Sequence, residues 1–179
     1  MQFAGRPLTN SAMTVVSLRR GADDPLQVKL VPLPLGFHQR LRNRGILPPT
    51  APVKVARDSA GKPLRDAQGL AVTLADTSAA DYVTALDQYH QIVAVLTVVE
   101  GLRGDENIAF DAVPPGEQAG AEPWKNYALS VFSELEQAGF AAGDLVVLCR
   151  QICRLSNLLE DHLTTAQASF SGGPAAHSD

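Results

Sequence analysis

The sequence predicts an α+β protein, with N-terminal β-hairpins followed by a helical bundle of about three main helices. Three observations carry this prediction. Short alternating or β-branched runs, split by Gly, Asp and Pro, fill the first part of the chain. After Ser78 the apolar residues change period and recur every three or four positions. Aromatic residues make up only 6% of the 179, so the core must rest on Leu, Val, Ile and Ala, which suits packed helices. Strands first and helices afterwards is the order of an α+β fold.

The elements follow in chain order. Residues 1–12 have no clear period and read as a flexible arm. Met13–Arg19 and Leu26–Leu33 read as two strands of a hairpin, joined by a Gly, Asp and Pro turn at 20–25. On the second strand Leu26, Val28 and Leu30 share one side, and Pro32 and Pro34 end it because Pro offers no ladder donor. Leu35–Asn43 reads as a short helix with Phe37 and Leu41 on one face, stopped by Gly45. Val53–Arg57 and Leu70–Leu74 read as a second hairpin with a long excursion, marked by turn signals at 58–61 and 66–69, that projects from the core.

Ser78 is placed to cap the next helix, with Asp81 three residues on as a weak capping box. Tyr82, Leu86, Tyr89, Val93 and Leu96 then form one stripe, and the helix should stop near Leu102–Gly104. Ile92–Val99 is apolar nearly all round, as expected of a central buried helix. Residues 107–113 read as a brief extended link. A third stripe runs from Trp124 to Leu135 and ends at Gly139, and a last one runs from Leu145 to Leu159. No repeat of solenoid type is present. The organisation is thus an arm (1–12), a β-hairpin region with a short helix (13–76), a helical domain (77–163) and a mobile C-terminal tail (164–179).

Composition excludes several classes. The longest apolar run, Ile92–Val99, is far too short to span a bilayer, which takes about 20 residues. Met1–Asn10 lacks a basic region followed by an apolar stretch, so no secretory leader is expected. Cys149 and Cys153 lie four apart on one helix, which argues against a disulfide framework and fits a reducing, cytoplasmic setting. Residues 1–65 carry a net charge of +8 and residues 66–179 a net of −12. Such polarity suits self-association between the basic and acidic parts, or an acidic partner for the basic end.

No catalytic centre is legible, and neither a cofactor nor a metal is expected. His38, His90, His162 and His177 have no partners at ligand spacing, and the two Cys lack the further ligands that zinc needs. Asp58 and Asp66, with Gly61 and Gly69, supply only fragments of a calcium loop, because Lys62 and Arg65 intervene and no closing Glu follows. The pairs Asp105–Glu106 and Glu160–Asp161 flank helix ends without an apolar setting that would tune a carboxyl for acid–base work. Arg40, Arg42 and Arg44 form the densest basic cluster, but stacking aromatics other than Phe37 and nucleic-acid signatures are missing, which argues against nucleic acid.

The stretch from Tyr89 to Leu158 resembles the tail assembly chaperones of tailed phages and prophages. The resemblance rests on YHQIVAVLTVVEGL, then IAFDAV, then WKNYALSVFSELEQAGF, then GDLVVLCRQICRLSNL, with PLPLGFHQRLRNRG after the first hairpin. Ala141 departs from it, standing where a capping Ser would suit, and the 53–74 hairpin looks like an insertion. The resemblance implies a non-enzymatic protein that coats the long helical tape-measure protein and leaves as tail tube subunits arrive. It also implies a longer frameshifted product in some members. Candidate contact residues are Trp124, Tyr127, Val131, Phe132 and Phe140, with Arg40, Arg42 and Arg44. The competing reading of the aromatic and apolar ones is core, and that reading is favoured for most of them; Trp124, next to a loop, is the one most expected to be partly exposed. The alternative function is a structural minor tail or adaptor subunit retained in the particle.

Overall fold

The structure, a computed structural model, describes residues 2–3, 6–7, 12–19 and 25–158. Among these are four helices and three two-stranded antiparallel sheets, an α+β architecture. Within the N-terminal arm, β1 (Gln2–Phe3) pairs with β2 (Arg6–Pro7). The first expected hairpin is present as β3 (Thr14–Leu18) and β4 (Leu26–Leu30), with Thr14 opposite Leu30 and Leu18 opposite Leu26. Alternation does what the period requires: Leu18, Val28 and Leu30 are buried, while Val15, Ser17, Gln27 and Lys29 face out. Most of the connecting turn lies outside the described residues.

The chain leaving β4 is fastened to two helices by its own amides. Val31 N–H donates to the Gly101 carbonyl at 2.8 Å, and Leu33 N–H donates to Ser156 Oγ at 2.8 Å. Next comes α1 (Phe37–Asn43), which buries Phe37 and Leu41 as their spacing predicts. The remaining helices are α2 (Ala80–Leu102), α3 (Ala121–Gln137) and α4 (Ala142–Leu155).

Three of these four helices end in the same way. After α1, Gly45 N–H bonds the Arg42 carbonyl and Ile46 N–H bonds that of Leu41. After α3, Gly139 and Phe140 bond Glu136 and Leu135, and after α4, Asn157 and Leu158 bond Arg154 and Cys153. Each is a Schellman motif, which needs one residue at positive φ: Gly45 (76°), Gly139 (78°) and Asn157 (55°). The start of α2 departs from expectation. Its N-cap is Ala79, without a side-chain cap, because the Ser78 hydroxyl donates to Asp76 Oδ1 at 2.7 Å instead. At α4 the N-cap Ala141 cannot accept a bond, but Asp144 reaches back to take its N–H at 2.9 Å.

The core forms two clusters on either side of α2. Ile92, Val95 and Leu96 pack with α1, Ile46 and the inner stripe of α3. Val98 and Leu102 pack with β3, β4 and α4. Leu33, Phe110, Phe140 and Leu145 touch both clusters and tie them together. Every buried residue of α2 lies at or after Ile92. The expected central helix is therefore buried only in its second half, and its first three turns are at most half-buried, with Tyr89 at the edge of the first cluster.

The second hairpin is β5 (Val53–Val55) and β6 (Thr73–Ala75), with Val53 opposite Ala75. All six residues are exposed. Its excursion is ordered by an eight-residue repeat. Arg57, Asp58 and Gly61 recur as Arg65, Asp66 and Gly69. Asp58 Oδ1 accepts the N–H of Ala60 and of Lys62, and Asp66 Oδ1 accepts those of Gln68 and Leu70, all within 2.8–2.9 Å. Arg57 donates to the Gly61 carbonyl and Arg65 to that of Gly69. Ala56 N–H donates to Val72, Val72 to Leu64, and Leu64 to Ala56, a closed ring of three backbone bonds. Ala56 at this ring is buried, although nearly everything around it is exposed.

Candidate protein-contact surfaces

The inner stripe of α3 is core. Trp124, Tyr127 and Val131 are all buried, with Trp124 only 5% exposed. The expectation that Trp124 is partly exposed is thus corrected: Arg44, just past α1, lays its guanidinium 3.7 Å from the centre of the indole ring. Tyr127 meets the same indole edge-on, with ring centres 5.8 Å apart. Gly45 lets this corner close, since a β-carbon there would stand 2.9 Å from that of Ala121. The Trp124 Nε1–H, enclosed by these groups, has no hydrogen-bond partner among the described residues.

The arginine cluster is divided by the fold. Arg40 reaches Glu100 on α2 at 3.5 Å. Arg44 is half-buried, and burial, with the neighbouring Arg40 charge, pulls its pKa below the ordinary arginine value. Only Arg42 of the three is exposed. The three therefore do not present a common basic face.

Phe132 and Phe140 are half-buried. Phe132 packs at the edge of the first cluster. Phe140 lines an open cleft of about 360 Å³ whose apolar wall includes Leu26, Leu102, Ile108, Phe110 and Leu135. Its polar rim is Asn107, Asp111, Glu134 and Gln137. The link at 107–113 forms no strand. Glu134 on α3 shapes it, accepting Asp111 N–H on one carboxylate oxygen and Ala112 N–H on the other, both at 2.8 Å. Ile108 and Phe110 were legible only as apolar residues in a connector, and Glu134 only as a polar position on a helix.

Asp105 anchors the other end of the link. It is a buried carboxylate that accepts Lys29 N–H at 2.7 Å and both Asn107 donors at 3.1 Å. The Lys29 bond is the main cause that holds its pKa below the usual carboxylate value, against the opposing effect of burial. It is a structural clamp between β4 and the end of α2.

Of the two cysteines, Cys149 faces the α2–α4 seam. Cys149 Sγ donates to the Ala94 carbonyl at 3.5 Å, and burial pushes its thiol up to about 11. Burial raises Cys153 as well. A thiol held protonated is a poor nucleophile and a poor metal ligand. Among the described residues, no three His, Cys, Asp or Glu side chains come together as a metal site. Among the same residues, no helix is long and apolar enough to cross a membrane.

No family model matches the chain, and no curated protein or solved structure matches it either.

Proposed function

We propose that this chain is a tail assembly chaperone that binds and solubilises the tape-measure protein of a tailed phage during tail assembly. The observation that carries the reading is the open cleft between the 107–111 link and the end of α3. Its apolar wall suits the Leu- or Phe-sized side chains of an amphipathic helix. Its rim, with Asp111 and Glu134, suits the Lys and Arg of that helix's polar face. The cleft lies within Tyr89–Leu158, the stretch that resembles the chaperones, apart from its contribution from Leu26. On this reading the protein works in the host cytoplasm, without a cofactor, and is displaced by tail tube subunits.

The test is co-expression with the longest helical protein encoded nearby, followed by pull-down and mass measurement. The expected result is a soluble complex with many copies per client, lost on Ile108→Glu at the cleft. No complex, with the chain present in purified particles, would replace this reading by that of a retained structural subunit.

A further inference from the structure

We propose that two copies of this chain associate by exchanging arms, the projecting β unit of each docking on the first three turns of α2 in the other.

The chain's own fold leaves the β unit uncovered and the start of α2 only partly covered. Val53 is 73% exposed and Leu74 53%, and Val55, Leu64 and Leu70 are exposed with them. On α2, Tyr82, Leu86 and Tyr89 continue the core stripe outward at helical spacing; all three are half-buried, and only Tyr89 packs against the first cluster. Exposed apolar groups on the β unit, beside a half-covered apolar stripe on the next element, mark an interaction surface.

Charge chooses the occupant. The β unit, residues 53–75, carries Lys54, Arg57, Lys62 and Arg65 against Asp58 and Asp66. On α2, residues 80–102, there is no Lys or Arg at all, and Asp81 and Asp87 flank its half-covered apolar stripe. Among the described residues, Lys62, Asp81 and Asp87 have no ion-pair partner, whereas Lys54 is held by Asp76 at 2.8 Å. One element is apolar and basic, the next apolar and acidic, and every copy has both. A two-fold arrangement therefore makes the contact twice, once in each direction. The lengths agree: residues 80–90 of the helix span ~16 Å, and residues 53–57 of the β unit span ~17 Å.

The experiment is sedimentation of the full chain at about 0.05 M and about 0.5 M salt, where screening lengths differ severalfold. The expected result is a dimer at low salt whose Kd rises at least about tenfold at high salt. Arg57→Glu with Lys62→Glu, and separately Asp81→Lys with Asp87→Lys, should each give monomers. An equimolar mixture of the two should dimerise again, because each reversed β unit then faces a reversed helix. Lys62→Glu alone, which touches no side-chain bond within the chain, should weaken the dimer in the same direction. Circular dichroism confirms that each variant is folded. A wild-type chain that stays monomeric at low salt, a dimer that survives both reversals, or a mixture that stays monomeric would overturn the proposal.

Discussion

Arg44 closes the indole of Trp124 from solvent, its guanidinium lying 3.7 Å from the ring centre. A cation over a desolvated indole contributes about 0.5–2 kcal/mol, and the aliphatic stem adds packing. Arg44→Ala should therefore lower stability by about 1–2 kcal/mol, with Arg44→Lys intermediate because it loses the planar stack. Trp124 is the sole tryptophan, so its emission reads the site directly. Arg44→Ala should shift that emission to the red in the folded protein, and an unchanged spectrum would count against the contact.

At Gly101, α2 lies directly against the Ile152 side chain of α4. A β-carbon there would overlap the side chain of Ile152, which is fully buried and cannot swing away. Gly101→Ala gains helix propensity of about 1 kcal/mol, but overpacking of a core costs about 1–3 kcal/mol. A net loss of stability in urea unfolding is expected. Gly101→Ala combined with Ile152→Val should recover part of it, since the smaller side chain makes room. A stabilised Gly101→Ala would mean that the helices separate freely.

Asp105 should make stability depend on pH in the acid range. Its folded pKa lies below the ordinary value, so the unfolded chain binds its proton first as pH falls. The bonds to Lys29 and Asn107 stabilise fully above the unfolded value, near pH 4, and are lost as pH drops through the folded one. Asp105→Asn should cost about 1–3 kcal/mol near neutrality. The gap between wild type and variant should narrow below about pH 4. Urea unfolding at neutral and acid pH checks this, and a gap that stays constant would show that the carboxylate's charge is not what the clamp uses.

Asn157 ends α4 at a φ of 55°, the work that glycine does after α1 and α3. For a residue with a β-carbon and no compensating local bond, that conformation costs about 1–2 kcal/mol. Asn157→Ala should destabilise by about 1 kcal/mol, while Asn157→Gly should be neutral or slightly stabilising. Thermal unfolding of the two variants gives the order, and the reverse order would remove the motif as an explanation of the helix end.

Much of the fold was legible because it is written in period and punctuation. Phe37 and Leu41, the dense run Ile92–Val99, and the stops at Gly45 and Gly139 report local rules that the tertiary structure obeys. What failed involved competition between neighbours or contact across the chain. Ser78 could cap α2, but the Asp76 carboxylate takes its hydroxyl. Trp124 follows a loop and looks open, yet Arg44, remote in sequence, covers it. The turns at Asp58 and Asp66 were readable singly, but the ring that joins Ala56, Leu64 and Val72 depends on where two laps of chain meet. The cleft was hidden for a similar reason: Ile108 and Phe110 become a wall only once Glu134 bends the connector around them.

The β unit enters and leaves the molecule at one place, where Asp76 N–H bonds the Pro52 carbonyl at 2.6 Å. Everything between these residues resembles a cassette plugged into a single socket. Evolution can lengthen, exchange or discard such a cassette while the helices behind it keep their sequence, and a protein engineer can use the same socket to display a foreign peptide.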